Sequence, residues 1–181
     1  MDEKLIMDGV SIDRSIARLA HEIIERNADK NEVCLVGIQR RGVPLAHMIA
    51  DNIAKYSDIK THVGELDITL YRDDLSEISE QPELKGTYID FPIKNKTVIL
   101  VDDVFYTGRT ARAAMDAIVT LGRPAYIQLA VLIDRGHREF PIRGDYVGKN
   151  LPTSKNEFVL VRLPEYDGKK EVVLRKREET E

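Results

Sequence analysis

The sequence predicts an α/β domain with a central, mostly parallel sheet and helices on both faces. Two observations support this. Short aliphatic runs alternate with segments of helical period through the middle of the chain, and the 181 residues contain no internal repeat or linker, so we expect one domain over 1–181. Because ligands bind at the carboxyl ends of strands in such sheets, the chemistry should lie in the loops that leave those ends.

The predicted elements follow in order along the chain. Apolar residues recur at helical spacing from Ser11 to Asn27, with Ser11 as the expected N-cap. The remaining predictions are a strand at 32–38, a helix at 42–56, a strand at 61–71, a long polar loop at 72–91, a strand at 97–101, a helix at 109–121, a strand at 125–133 and short strands near 146–148 and 158–161.

Composition excludes several classes of protein. The net charge is -4, so nucleic-acid binding would require a local basic patch, and we expect no DNA partner. The single cysteine, Cys34, excludes an intramolecular disulfide and a zinc cluster of cysteines. No apolar run approaches membrane-spanning length and the N-terminus is acidic, so we expect a soluble, cytoplasmic protein with no membrane partner.

One stretch, "VILVDDVFYTGRT" at 98–110, combines three features. A buried strand ends in two acids, Asp102 and Asp103, and a Thr-Gly-Arg-Thr loop then opens a helix. The first amides of a helix bind phosphate, and Gly108 allows close approach of the backbone. The acids can accept hydrogen bonds from vicinal hydroxyls, or hold Mg²⁺ directly or through water. The combination predicts a site for a ribose 5-phosphate.

Each fragment alone also fits an ordinary solvated loop and helix start, whereas the joint order is far more specific. The stretch lacks the Gly-Lys-Ser/Thr of a Walker loop. It also lacks the Gly-x-Gly-x-x-Gly fingerprint of a Rossmann dehydrogenase, which is therefore a distant alternative.

The same stretch resembles, at every position, the PRPP-binding motif of type I phosphoribosyltransferases. "GIQRRG" at 37–42 resembles the pyrophosphate loop of that family, and "ELDITLYRDDL" at 65–75 resembles the strand and start of its flexible lid. "DRGHREFPIRGDYVGKNLPTS" at 134–154 resembles the hood of a subgroup that comprises uracil phosphoribosyltransferases that also regulate pyrimidine operons. The resemblance implies the type I fold, with a lid and a small hood at roughly 134–161 plus parts of the N-terminus.

The resemblance implies that uracil and PRPP give UMP and diphosphate, with Mg²⁺. Asp102 and Asp103 would be the catalytic and metal-holding pair, and whether either acts as a general base stays open. The implied phosphate- and ribose-binding residues are Asp102, Asp103, Val104, Tyr106, Thr107, Gly108, Arg109 and Thr110. Arg40 and Arg41 would face pyrophosphate, and Tyr71, Arg72 and Asp73 would belong to the lid. In the hood, Arg135 or Arg138 would reach the base or the pyrophosphate, and the backbone near Val159 would read the uracil edge.

The subgroup further implies UMP- or UTP-dependent binding to the leader mRNA of a pyrimidine operon. Arg14, Arg18 and His21 share one face of the first helix, with Arg26 beyond, and the hood adds Arg138 and Arg143. The alternative is that these are the ordinary solvated residues of an amphipathic helix. The resemblance also suggests a homodimer or a tetramer.

Two other hypotheses remain open. One is a purine phosphoribosyltransferase of the hypoxanthine type without an RNA role. The other is a nucleotide sensor with vestigial catalysis, against which the intact acid pair and the "QRRG" loop count.

Overall fold

The computed structural model describes residues 3–69 and 86–177. The elements in chain order are β1 (Glu3–Met7), α1 (Gly9–Arg26), β2 (Glu32–Ile38), α2 (Gly42–Tyr56), β3 (Lys60–Leu66), β4 (Thr97–Phe105), α3 (Arg109–Leu121), β5 (Tyr126–Asp134), β6 (Tyr146–Asn150), β7 (Glu157–Arg162), α4 (Pro164–Asp167) and β8 (Glu171–Lys176). Within these ranges no helix is long and apolar enough to cross a bilayer.

The main sheet has five parallel strands in the order β3-β2-β4-β5-β6. Both of its faces are covered, which explains the nearly continuous apolar runs of its strands. Val33 and Leu35 of β2 pack in a cluster with α1 and α2, whereas Cys34 and Val36 pack in a second cluster with α3. The predicted parallel α/β architecture with helices on both faces is confirmed.

A smaller antiparallel sheet, in the order β1-β8-β7, joins the two ends of the chain. Arg162 of β7 bridges it, because its guanidinium pairs with Glu3 at 2.7 Å and with Glu171 at 2.7 Å. Three elements, β1, α4 and β8, were not predicted from the sequence. The strand predicted near 158–161 is β7 of this sheet, whereas the one near 146–148 is the edge strand β6 of the main sheet.

Among the predicted boundaries that differ from those observed, three have a clear physical reason or bear on the site. The N-cap of α1 is Asp8, whose Oδ1 accepts a hydrogen bond from the Ser11 amide at 2.8 Å, so Ser11 lies inside the first turn. Strand β3 ends at Leu66, earlier than predicted. Strand β4 continues beyond the acids to Phe105 because Val104 and Phe105 still pair with β5.

Candidate active site

The acid pair lies at the carboxyl edge of the main sheet, within the last four residues of β4. One carboxylate oxygen of Asp102 accepts a hydrogen bond from the Asp103 amide at 2.9 Å. One oxygen of Asp103 likewise accepts from the Val104 amide at 2.8 Å. Local backbone bonds therefore orient both half-buried carboxylates, and the second oxygen of each remains available to a ligand.

The environment of Asp102 disfavours its ionised form. Burial, and next the negative charge of Asp103, raise the pKa of the Asp102 carboxyl well above its usual range. A cation or several hydroxyl donors at this place would stabilise the charged form. Within 3–69 and 86–177, no group of three or more His, Cys, Asp or Glu residues could hold a metal by itself. Two carboxylates do fit Mg²⁺, which commonly binds one or two protein carboxylates together with phosphate oxygens of the substrate.

The loop before α3 has the backbone of an anion cradle. Gly108 is the N-cap of α3 with φ at 95°, a left-handed conformation that favours glycine, and no side chain caps the helix. The Thr107 hydroxyl oxygen accepts from the Arg109 amide at 3.3 Å. The other first-turn amides of α3 lack a helical partner, so they can donate to an anion. A cavity of about 280 Å³ opens here, lined by residues that include Asp102, Tyr106, Thr107, Gly108, Arg109 and Thr110.

The side chain of Arg109 is directed at the hood. Its Nε and Nη2 donate to Oε2 of Glu139 at 3.0 and 2.8 Å, and its guanidinium carbon lies 5.4 Å from the centre of the Phe140 ring. The Glu139 amide also donates to the Thr107 carbonyl at 2.8 Å. The hood therefore supports the phosphate loop, and the Arg109 guanidinium is engaged by the hood.

Tyr106 contacts the side chains of Arg135 and His137. The Arg135 guanidinium lies 4.0 Å from the centre of its ring, and the His137 ring lies 5.6 Å away, edge-on. Arg135 is only 5% exposed, and it donates to the Thr153 hydroxyl at 3.0 Å and to two carbonyls, those of Ser154 and Glu157. Its hydrogen-bonding groups thus hold the hood loop 153–157 and are turned towards the protein.

The other two predicted hood residues differ in exposure. Arg138 is exposed and has no ion pair or hydrogen bond within 3–69 and 86–177. Val159 is half-buried in β7, where it faces Leu174 of β8. Arg138 can therefore move, whereas Val159 is fixed by the small sheet.

The loop after β2 completes the site. A cavity of about 320 Å³ is lined by this loop, by the acid pair and by the segment that follows β3, namely by Ile38, Gln39, Arg40, Arg41, Asp67, Ile68, Thr69, Asp102, Asp103, Val104 and Thr110. The peptide bond between Gln39 and Arg40 is cis. A Cβ on Gly42 would lie 2.2 Å from the Val101 carbonyl oxygen, so only glycine lets α2 start this close to β4. The structure thus brings together the two arginines, the acid pair and Thr110.

The loop after β2 is held by α4, and no sequence pattern predicted this contact. The Tyr166 hydroxyl donates to the Arg40 carbonyl at 3.3 Å, and the Arg40 guanidinium carbon lies 4.5 Å from the Tyr166 ring centre. Asp167 accepts from Nη2 of Arg41 at 2.8 Å. These partners are 126 residues apart, and no local pattern signals the contact. The predicted lid residues Tyr71, Arg72 and Asp73 lie outside the described residues.

The predicted RNA-binding arginines fall into two groups. Arg18 pairs with Glu22 at 2.6 Å and donates to carbonyls of β6, and Arg26 pairs with Asp145 at 2.8 Å, so both tie α1 to the edge of the main sheet. The His21 ring stacks near Tyr56, with 4.5 Å between ring centres. The second group, which is exposed and makes no ion pair in the described part of the chain, comprises Arg14, Arg138 and Arg143.

Comparison with known proteins identifies the family. The sequence-family model of the phosphoribosyl transferase domain matches residues 6–166 of the chain. The chain is 61% identical over 168 residues to the "Bifunctional protein PyrR" of Acetivibrio thermocellus, covering 93% of this chain and 91% of the relative. It is 54% identical over 175 residues to the protein of the same name from Clostridioides difficile, covering 97% and 99%.

Solved structures show the same fold at low identity. The hypoxanthine phosphoribosyltransferase of Trypanosoma cruzi matches with a TM-score of 0.76 at 20% identity, covering 97% of this chain and 96% of the other. At that identity the likeness supports the type I fold and carries no weight for a purine substrate. The chain therefore belongs to the phosphoribosyltransferase family and, within it, to the bifunctional PyrR proteins.

Proposed function

We propose that this chain converts uracil and PRPP to UMP and diphosphate, and that it regulates a pyrimidine operon by UMP- or UTP-dependent binding to its leader mRNA. Membership of the PyrR proteins supports both activities. The observation that carries the enzymatic part is the position of the acid pair, between an anion cradle on α3 and the two-arginine loop after β2. This order matches the order of groups in PRPP, which are the 5-phosphate, the ribose hydroxyls and the pyrophosphate.

The residues of the site divide the work of binding PRPP. First-turn amides of α3 hold the 5-phosphate, with Gly108 allowing the approach. The free oxygens of Asp102 and Asp103 accept hydrogen bonds from the ribose hydroxyls. Arg40 is exposed and donates to the leaving pyrophosphate, for which a planar guanidinium is well suited.

Charge stabilisation explains how this arrangement accelerates the reaction. The ribose C1 becomes cation-like as pyrophosphate leaves, so fixed carboxylates near the ring stabilise the transition state more than the ground state. Mg²⁺, held by Asp102 or Asp103 together with phosphate oxygens, would neutralise the charge of the leaving pyrophosphate.

The hood and the lid supply the rest of the site. Arg135 fixes the loop 153–157 against Tyr106, which positions the start of β7. Backbone groups near Val159 then read the uracil edge, with Arg138 free to swing in. The lid residues Tyr71, Arg72 and Asp73 would close over PRPP and exclude water, which would otherwise hydrolyse it.

For RNA binding, the exposed group of Arg14, Arg138 and Arg143 is best placed to contact phosphates. Arg18 and Arg26 contribute mainly by holding α1 against β6, while His21 lies on the same helix. Because the whole chain carries a net charge of -4, affinity should come from these local basic residues and weaken steeply with salt. A cytoplasmic homodimer, or a tetramer, would bring two sets of them onto one RNA surface.

Two assays test the proposal. A panel of uracil, hypoxanthine and guanine with PRPP and Mg²⁺ should give product with uracil alone, and product from hypoxanthine would favour the purine alternative. A gel-shift titration on a pyrimidine-operon leader RNA at fixed salt should show tighter binding with UMP, as linkage between the two sites requires. RNA binding with no uracil turnover would favour the nucleotide sensor.

A further inference from the structure

The tip of the loop after β2 is held from outside the main sheet. The two ends of the loop, where it joins β2 and α2, are fixed by close packing, since a Cβ on Gly37 would lie 2.5 Å from Val43 Cα, and Gly42 is equally confined. Between these ends, the side chains of Arg40 and Arg41 contact one short element, α4. Without α4 the loop would present two flexible arginines to solvent, each with considerable rotamer entropy to lose on binding a ligand.

Asp167 is the central contact of this arrangement. One of its carboxylate oxygens accepts from Nη2 of Arg41 at 2.8 Å, and the other accepts from the Leu163 amide at 2.9 Å. Leu163 is fully buried in the core cluster, so the carboxylate is anchored to the body of the protein. The hydrogen bond from Arg41, followed by that from the Leu163 amide, lowers the pKa of Asp167, so its negative charge persists at neutral pH.

Tyr166 adds a flat support beneath both arginines. Its ring centre lies 4.5 Å from the guanidinium carbon of Arg40 and 5.9 Å from that of Arg41. The buried Nε of Arg41 has no hydrogen-bond partner among the described residues, which indicates that Asp167, rather than a wider network, fixes the orientation of its guanidinium. The Arg41 and Asp167 side chains are 33% and 21% exposed, so water screens the pair only in part.

We propose that Asp167 is a positioning residue for pyrophosphate: through Arg41, and with Tyr166 beneath Arg40, it presets the loop after β2 for the pyrophosphate of PRPP. This rests on the proposed function, which places pyrophosphate at that loop. Arg41 ties the loop to α4 through Asp167. Arg40, which is exposed and lies over the Tyr166 ring, is the side chain that contacts the ligand. Because the loop is already ordered, less conformational entropy is lost when PRPP binds. The benefit should appear in the KM for PRPP and in the inhibition constant for pyrophosphate, and not in the KM for uracil.

Steady-state kinetics of Asp167→Asn tests the role. The asparagine keeps an oxygen for the Leu163 amide but loses the charge that holds Arg41. We expect the KM for PRPP and the inhibition constant for inorganic pyrophosphate each to rise by about three- to tenfold, with the KM for uracil within twofold of wild type. Glu22→Gln is the matched control, because it removes a carboxylate paired with Arg18 at 2.6 Å on α1, and neither side chain lines the cavity at the loop after β2.

Three outcomes separate the possibilities. A folded Asp167→Asn protein with wild-type constants for PRPP and pyrophosphate overturns the positioning role. So does an equal rise in the KM for uracil, since that would indicate a general loosening of the site. If wild-type protein itself forms no UMP, the proposed function fails and the role of Asp167 fails with it. As a second variant, Tyr166→Leu removes the ring beneath both arginines and should raise the KM for PRPP and the inhibition constant for pyrophosphate; unchanged constants would contradict the support assigned to this ring.

Discussion

Arg109 of the phosphate loop donates two hydrogen bonds to one carboxylate oxygen of Glu139, at 3.0 and 2.8 Å. Its side chain is thereby turned to the hood, although Arg109 is the first residue of α3, next to the cradle. The two side chains are 42% and 49% exposed, so solvent screens the pair and its contribution to stability is at most about 1 kcal/mol. Binding of the 5-phosphate should depend on the backbone of this loop more than on the Arg109 side chain.

Arg109→Ala is therefore expected to raise the KM for PRPP by less than about fivefold, since the first-turn amides of α3 remain in place. Gly108→Ala should have the larger effect, because φ at 95° is strained for alanine by about 1–2 kcal/mol and the amides would be displaced. Initial-rate measurements with varied PRPP compare the two. A greater loss for Arg109→Ala would show that the guanidinium turns to the phosphate when PRPP binds.

Asp103→Asn should lower kcat/KM for UMP formation by about a hundredfold or more, the usual cost of removing one preorganised electrostatic group from a transition state. The asparagine can still accept from the Val104 amide, so the fold should be retained. Turnover assays together with thermal unfolding check both statements. Near-normal turnover would contradict the assignment of the acid pair to the ribose.

Asp102→Asn should stabilise the protein at neutral pH. The pKa of Asp102 is raised in the folded state by burial and by Asp103, so the native protein holds a proton that the unfolded chain has released. Stability therefore falls as pH rises above the usual aspartate range, and the amide removes that loss. Thermal unfolding should show a higher Tm than wild type at pH 7.5, with the difference shrinking towards pH 4.

The control for this pH effect is Asp116→Asn, which changes an exposed acid of α3. It should show no comparable pH-dependent difference. A Tm gain for Asp102→Asn that is constant across pH, or a lower Tm at pH 7.5, would contradict the electrostatic explanation.

Substitutions in the two groups of arginines should have different effects on RNA affinity and on thermal stability. Arg138→Ala should weaken leader-RNA binding, reduce the dependence of affinity on salt by about one ion per lost phosphate contact, and leave the Tm unchanged. Arg18→Ala should lower the Tm by a few degrees as well, because Arg18 donates to the carbonyls of Val147 and Gly148. Gel shifts at several salt concentrations and thermal unfolding provide the comparison. Unchanged RNA affinity in Arg138→Ala would indicate that the exposed arginines are ordinary solvated residues without a role in RNA binding.

Local patterns determined much of this protein in advance. The aliphatic run at 98–101 predicted a central buried strand, and helical spacing predicted α2 and α3 with their observed bounds. The order of acids, threonines and Gly108 predicted the anion cradle. These features depend on residues close in sequence, where periodicity, glycine conformation and helix-end chemistry act directly.

Only the tertiary structure decided what each arginine contacts. Arg41 meets Asp167 across 126 residues, and Arg18 meets the Val147 carbonyl across 129. Arg135 is turned into the hood loop although its sequence position also suited the base. A long cationic side chain can reach many partners, and its choice depends on which carboxylates and carbonyls the fold brings within about 3 Å, a distance that no local pattern encodes.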